Sequence, residues 1–135
     1  MRVLILDDSA VMRTLLKHAL GQSDLGLTDV LYASNGVEGL SAIEDSVANN
    51  QPIDIILCDL HMPIMDGLQF LLEKQLRNLA QGVPVVILTA ESDYPQLLQS
   101  MQAGAQSFLI KPFSLEQIQT RVASLLPAVP KLSAR

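Results

Sequence analysis

Short apolar runs alternate with longer helix-like segments along the chain, and this alternation is the feature that most restricts its fold. The runs are rich in β-branched residues, and "IDIILC" and "VPVVIL" are apolar almost throughout. Runs of this kind are typical of strands that are covered on both faces. Strands that alternate with helices predict β–α units and a mostly parallel sheet. We count five such units, with strands predicted at 3–6, 30–33, 53–58, 85–88 and 108–110.

Composition limits the class of protein. A chain of 135 residues predicts one domain, which is large enough to bury a core without disulfide bonds. The formal net charge of −5 disfavours binding to nucleic acids or anionic membranes, and the single cysteine, Cys58, excludes an internal disulfide. No apolar run approaches the roughly 18 residues of a membrane span, and no signal-peptide core precedes the first charges. We therefore expect a cytoplasmic protein.

Helical periodicity fills the segments between the predicted strands. Ser114 and Gln117 have the spacing of a capping box at the start of the last helix. Residues 127–135, "PAVPKLSAR", contain two prolines and no periodicity, so we expect a flexible C-terminal tail or the stub of a linker. Five leucines after the third strand are spaced as a single buried helical stripe: Leu68, Leu71, Leu72, Leu76 and Leu79.

Polar side chains follow four of the five predicted strands. Asp7 and Asp8 follow the first strand, Asp59 the third, Thr89 the fourth and Lys111 the fifth. The carboxyl ends of parallel strands meet at one edge of the sheet, and open α/β sheets bind their ligands there. Two carboxylates 4 Å apart repel by about 4 kcal/mol at an effective dielectric of about 20, so the aspartate pair needs a reason for its position. The sequence therefore predicts a polar site at this edge.

Taken singly, these residues have plainer interpretations. Asp8 or Ser9 would cap the first helix, Asp59 would fit a turn, and a threonine or a Lys-Pro pair carries little information. All of them in order at strand ends are a much stronger signal. Cys58 is expected to be a buried strand residue and not a redox centre, and the two histidines give no zinc pattern.

Four segments that contain these residues resemble the receiver domain of two-component response regulators: "LILDDSAVMR", "ILCDLHMPIMDG", "VVILTAES" and "FLIKPF". The resemblance covers residues 1–126, and without a second domain the chain is most similar to single-domain, chemotaxis-type (CheY-like) regulators. It implies a (βα)5 flavodoxin-like sandwich, in which helices cover both faces of a five-stranded parallel sheet of order 2-1-3-4-5.

The resemblance also implies roles for the polar residues. Asp59 would be the phosphoacceptor, and Thr89 and Lys111 would assist phosphoryl transfer. The family binds Mg²⁺, a cation that prefers oxygen ligands. Here Asp8 and Asp59 would ligate Mg²⁺ directly, Asp7 would act mainly through water, and the backbone carbonyl of His61 would complete the protein ligands.

Other positions are implied to govern switching and dephosphorylation. Thr89 and Phe108 are the expected switch residues, and the bond that precedes Pro112 is expected to be cis. Chemotaxis regulators usually have tyrosine where this chain has Phe108, so a hydroxyl hydrogen bond is lost there. His61 departs from the chemotaxis asparagine whereas Glu91 matches, and both positions are expected to tune dephosphorylation.

The function implied by the resemblance is a phosphorylation-activated switch of a phosphorelay. A sensor histidine kinase or a histidine phosphotransfer protein would supply the phosphoryl group, and the face formed by helix 4, strand 5 and helix 5 would change for an unknown protein target. Residues 94–110 of that face carry no charge, so we expect apolar and glutamine contacts there. Chemotaxis is one candidate pathway. The protein would be a monomer or a weak phosphorylation-dependent dimer, with no nucleic-acid or membrane partner through this domain.

Such a protein would catalyse only its own phosphorylation and dephosphorylation, and we therefore do not expect an enzyme with an external substrate. Three alternatives stay open. The chain could be the receiver of a longer regulator that has a DNA-binding or enzymatic output domain. It could instead be an α/β phosphatase or phosphotransferase, although it has no D-x-D nucleophile motif, or a scaffold that is never phosphorylated.

Overall fold

A five-stranded parallel sheet forms the centre of the protein in a computed structural model that describes residues 1–126. The prediction of a C-terminal tail concerns residues 127–135, which lie outside the described residues. A single 3-10 turn, Glu91–Asp93, precedes the fourth helix. In chain order the elements are β1 (Arg2–Leu6), α1 (Ala10–Gly21), β2 (Asp29–Ala33), α2 (Gly36–Ala48), β3 (Ile55–Asp59), α3 (Gly67–Leu76), β4 (Val85–Ala90), α4 (Tyr94–Gln102), β5 (Ser107–Lys111) and α5 (Leu115–Leu125).

The sheet has the order β2-β1-β3-β4-β5, which confirms the predicted topology. β1 pairs with both β2 and β3, and its last residue, Leu6, lies opposite Ala33 on one side and Cys58 on the other. β4 then joins β3 to β5. Because every pair is parallel, the carboxyl ends of all five strands lie at the same edge of the sheet.

Helices cover both faces of the sheet, as predicted. Side chains of a strand alternate between its two faces, and β1 therefore contributes to two core layers. Val3 and Ile5 pack in the layer that α1 and α5 cover, whereas Leu4 and Leu6 pack in the layer that α2, α3 and α4 cover. Cys58 is fully buried on β3, which confirms its predicted place in the core. Among the described residues, no helix has the length and apolar character required to cross a bilayer.

Polar caps fix the starts of four helices. The side chain of each cap accepts a hydrogen bond from the backbone N–H three residues later, and such a bond contributes about 1 kcal/mol. The predicted capping box at Ser114 and Gln117 is present, with both reciprocal hydrogen bonds. Ser9 and Ser114, which cap α1 and α5, lie two and three residues after Asp7 and Lys111 at the polar edge of the sheet. The four caps are Ser9, Asn35, Asp66 and Ser114.

The predicted leucine stripe after the third strand is wrong in part. α3 ends at Leu76, and the side chains of Leu72 and Leu76 are 50% and 77% exposed. The residues that α3 buries against the sheet are Gly67, Phe70 and Leu71. These three residues, and not the leucine stripe as a whole, define its buried face. Leucine spacing alone gives a helical period, and it does not say which residue lies at the middle of the buried face.

Candidate functional site

Three aspartates meet at the carboxyl edge of the sheet. Asp7 and Asp8 follow β1, and Asp59 is the last residue of the neighbouring strand β3. One carboxylate oxygen from each residue lies within 4.8 Å of the other two. Asp7 and Asp59 are buried, whereas Asp8 is exposed, so the cluster opens towards solvent on one side.

Asp7 is held firmly and carries an unsatisfied oxygen. Its backbone N–H donates to the carbonyl of Ala33 at 3.0 Å, and its Oδ1 accepts a hydrogen bond from the N–H of Ser9 at 2.9 Å. Its Oδ2 is buried and has no hydrogen-bond partner within residues 1–126. An unsatisfied buried carboxylate oxygen is costly, and its presence here favours a site that receives a cation or another donor.

The electrostatics of the cluster also favour a bound cation. Burial raises the pKa of the Asp7 carboxyl above its usual value of 3.8, and the neighbouring carboxylates of Asp59 and Asp8 act in the same direction. The Ser9 hydrogen bond and the Lys111 ammonium oppose this rise only in part. A cation in the cluster would relieve the repulsion among the three carboxylates.

Lys111, at the end of β5, supplies positive charge to the cluster. Its Nζ lies 3.4 Å from Asp59 Oδ1 and 3.9 Å from Asp7 Oδ2. The side chain is 29% exposed, so the ammonium group lies between the buried carboxylates and solvent. The Lys111–Pro112 peptide bond is cis.

Thr89 lies on β4, the strand between those that carry Asp59 and Lys111. It is buried, and its hydroxyl donates to the carbonyl of Ala90 at 3.2 Å. That distance is long for an O–H···O hydrogen bond, so the hydroxyl is weakly held. Phe108 on β5 is half-buried against the core layer of α2, α3 and α4.

The loops after β3 and β4 are joined by a contact that the sequence did not predict. The Nε2 of His61 lies 3.0 Å from Oδ2 of Asp93, and the two side chains are 63% and 19% exposed. Glu91 is exposed in the same 3-10 turn as Asp93. Sequence reasoning singled out His61 and Glu91 and missed Asp93, because which acidic residue of the turn faces His61 depends on how the loop folds.

Arg13 is the second residue that sequence reasoning missed. It lies in the first helical turns of α1, and its Nη1 donates to the backbone carbonyl of Asp7 at 2.7 Å. Side chains on a helix tilt towards its N-terminus, so a long side chain near the start of α1 reaches back to the strand end. This rule could have pointed to Arg13 from the sequence.

The residues present fit a magnesium ion. Three carboxylates that converge, one of them with an orphaned oxygen, provide the all-oxygen ligand set that Mg²⁺ prefers, and the open side leaves room for water. The structure thus brings together Asp7, Asp8, Asp59 and Lys111, and it places Thr89 on the strand between the last two.

Comparison with known proteins agrees with this geometry. The family model of the response regulator receiver domain matches residues 3–123. The chain is 35% identical over 125 residues to the response regulator MprA of Mycobacterium sp. (strain KMS), covering 93% of this chain and 50% of that protein. It is 28% identical over 126 residues to the chemotaxis protein CheY homolog of Campylobacter jejuni (strain 81-176), covering 93% of this chain and 92% of that protein.

A solved structure shows the same fold. The fold matches the chemotaxis response regulator CheY4 of Vibrio cholerae with a TM-score of 0.77 and 29% identity, covering 93% of this chain and 98% of that one. The chain spans about half the length of MprA and nearly the whole length of the two chemotaxis proteins.

Proposed function

The chain belongs to the response regulator receiver family, and from this premise we propose that it is a phosphorylation-activated switch whose phosphoacceptor is Asp59. The observation that carries the proposal is the position of Asp59, within a cluster of three carboxylates and 3.4 Å from the Lys111 ammonium. A sensor histidine kinase or a histidine phosphotransfer protein would supply the phosphoryl group.

The chemistry follows from the groups around Asp59. A carboxylate oxygen of Asp59 attacks the phosphorus atom, an O–P bond forms, and the P–N bond to the donor histidine breaks with its electron pair left on the imidazole nitrogen. The transferring group spreads negative charge over three oxygens, so positioning and electrostatic stabilisation supply most of the catalysis. Lys111 provides a compact positive charge on one side of Asp59, and the Thr89 hydroxyl provides a hydrogen-bond donor.

Asp7, Asp8, Asp59 and the backbone carbonyl of His61 would hold Mg²⁺. When bound, Mg²⁺ neutralises charge on the phosphoryl oxygens and on the carboxylates. Asp7 is buried and oriented by its hydrogen bond from Ser9, so its carboxylate lies on the protein side of the site. The exposed Asp8 lies on the solvent side.

The same residues supply a switch. Phosphorylation replaces the single negative charge of the Asp59 carboxylate with the roughly 1.5 to 2 negative charges and three acceptor oxygens of a phosphoryl group next to Thr89, whose hydroxyl makes only a long hydrogen bond to the Ala90 carbonyl. We propose that the hydroxyl turns to the phosphoryl group and that Phe108 repacks against the core layer beneath α4. The surface that changes is the face of α4, β5 and α5.

That face favours an apolar partner. Residues 94–110 carry no charge, and within them Tyr94, Leu98 and Ile110 are 58%, 49% and 39% exposed. We propose that a protein target binds there through apolar and glutamine contacts, so its affinity should depend only weakly on salt. The protein would act in the cytoplasm as a monomer or a weak dimer, with no nucleic-acid or membrane partner through this domain and no external substrate to turn over.

Two settings for this switch have support. The match over 92% of the Campylobacter chemotaxis protein favours a stand-alone switch, for which chemotaxis is one candidate pathway. The match to half of MprA favours the receiver part of a longer regulator with an output domain. The proposed chemistry at Asp59 is the same in both settings.

The test is the intact mass of the protein after incubation with acetyl phosphate and Mg²⁺. We expect one added phosphoryl group, which EDTA and Asp59→Asn each abolish. Asp24→Asn is the matched control, because Asp24 is an exposed aspartate in the loop between α1 and β2 and should leave phosphorylation unchanged. Phosphorylation that persists in Asp59→Asn would refute the assignment of the phosphoacceptor, and a folded protein that no donor phosphorylates would favour the scaffold alternative.

A further inference from the structure

Arg13 contacts the backbone beside the acidic cluster. Its Nη1 donates to the backbone carbonyl of Asp7 at 2.7 Å, and the same nitrogen lies 3.4 Å from the hydroxyl of Ser34. Both contacts are partly buried, so the guanidinium lies between the ends of β1 and β2. Charge-assisted hydrogen bonds of this length are among the stronger ones in proteins.

The carbonyl that Arg13 binds lies directly before Asp8 in the backbone. It belongs to the peptide unit that joins Asp7 to Asp8, and a peptide unit is planar. On the other side of Asp7, the backbone N–H is already fixed by the carbonyl of Ala33 at 3.0 Å. Arg13 therefore anchors the second side of Asp7 and, with it, the backbone of the exposed Asp8.

We propose that Arg13 is a positioning residue of the metal site: it holds the Asp7–Asp8 peptide so that both carboxylates converge on Asp59. This inference rests on the proposed function, in which these carboxylates hold Mg²⁺. Groups that orient metal ligands from behind typically change metal affinity by about 10- to 100-fold when they are removed.

Two effects of Arg13 on metal affinity have opposite signs, and this makes the inference testable. The guanidinium is a fixed positive charge near the cluster, so by charge alone it repels a cation and its removal would strengthen Mg²⁺ binding. By positioning the carboxylates, it strengthens binding, and its removal would weaken it. We infer that positioning dominates, because Nη1 contacts the backbone of a ligand residue directly.

The experiment is a Mg²⁺ titration of the whole chain followed by amide chemical shifts in ¹H–¹⁵N spectra, which also report whether each variant is folded. Arg13→Met removes the charge and the donors at similar length, and Arg13→Lys keeps the charge. Arg121→Met is the matched control, because Arg121 makes a similar hydrogen bond to Ser107 at the opposite end of β5 from Lys111. Urea unfolding of each variant measures the purely structural contribution.

We expect Arg13→Met to raise the dissociation constant for Mg²⁺ about tenfold or more, Arg13→Lys to give an intermediate value, and Arg121→Met to match the parent. Unchanged or tighter binding in Arg13→Met would overturn the inference and leave the proposed function in place. If Arg13→Met does not fold, Arg13→Gln decides, because glutamine lacks the charge and its side chain is two atoms shorter; unchanged or tighter binding in that variant would overturn the inference as well. A folded parent protein that does not bind Mg²⁺ would overturn both the metal site and the role of Arg13.

Discussion

Gly67 lies closely against the backbone of Asp59, the proposed phosphoacceptor, and Gly67→Ala tests whether this close approach positions Asp59. A Cβ at this position would lie 3.0 Å from the Cα of Leu60 and 3.3 Å from the backbone carbon of Asp59, and it would be closer still to the carbonyl oxygen of Asp59. Ordinary contacts of a Cβ begin at 3.4 Å, so the end of β3 would have to retreat by about half an ångström or more. Backbone atoms move less readily than the tip of a flexible side chain, and the strain is therefore not easily relieved.

The magnitude follows from two opposing terms. Overpacking of a well-packed region costs about 1–3 kcal/mol, while replacement of glycine by alanine in a helix contributes at most about 1 kcal/mol. We therefore expect Gly67→Ala to lower the free energy of unfolding by about 1–2 kcal/mol, which is a fall in Tm of about 3–8 °C for a domain of this size. Since most of the Gly67→Ala protein would stay folded, slower phosphorylation would report displacement of Asp59. A misplacement of about 1 Å can cost about 100-fold in rate, and we expect about tenfold here.

The assay combines thermal unfolding with the rate of phosphorylation by acetyl phosphate, measured by intact mass. Gly21→Ala is the control, because a Cβ on Gly21, in the last turn of α1, would meet nothing within 4 Å. Gly36→Ala is an intermediate case, since the atoms nearest to its Cβ would be those of the flexible side chain of Met65. A Gly67→Ala protein that matches Gly21→Ala in both Tm and rate would show that the contact with Asp59 does not constrain the site.

Three further predictions concern the site and the fold. Burial holds the pKa of Asp7 above 3.8, so the native state binds its proton more tightly than the unfolded chain, and stability without Mg²⁺ falls as the pH rises through the interval between the two pKa values. Asp7→Asn should therefore be more stable than the parent at pH 7 in EDTA, with the difference shrinking towards pH 3 in urea titrations, and a pH-independent difference would contradict this cause. Leu71→Ala should cost about 2–5 kcal/mol, and Leu76→Ala should stay within about 0.5 kcal/mol because Leu76 is 77% exposed; equal urea midpoints for the two would contradict the observed face of α3. His61→Asn, Asp93→Ala and the double variant should all change the lifetime of the phosphorylated protein by the same factor, because each residue acts through the 3.0 Å contact with the other. If the effects of the two single variants add in the double variant, the residues act independently.

The sequence predicted the elements of the fold well, because each strand is an apolar run bounded by polar residues. The observed strands begin or end within two residues of the predicted ones, and the largest shift at an amino end is in β3, which begins at Ile55. The order of the strands was a different matter. Local patterns do not say which strand lies beside which, so the order 2-1-3-4-5 came from the resemblance to the family and was then confirmed.

The acidic cluster could be anticipated because it depends only on strand ends. Once β1 and β3 are parallel neighbours, residues that follow Leu6 and Cys58 must lie side by side. The contacts of Arg13 and Asp93 depend instead on the path of a loop and the direction of a long side chain. These quantities have no period in the sequence. The tilt of helical side chains could have pointed to Arg13, but the atom that it binds and the partner of His61 became visible only in three dimensions.

The groups around β1 are held more firmly than those around β4, and this difference indicates where phosphorylation would change the structure. Around β1, Asp7 is fixed through its N–H, its carbonyl and its Oδ1. Around β4, the Thr89 hydroxyl makes a single long hydrogen bond, and the loop beyond it is tied to His61 by a contact whose imidazole is 63% exposed. Charge added at Asp59 therefore lies between firmly hydrogen-bonded groups on the β1 side and weakly held groups on the β4 side. Because the weaker side leads through β4 to α4 and the uncharged segment 94–110, we expect the change to spread towards that face, while α1 and the proposed metal ligands Asp7 and Asp8 keep their positions.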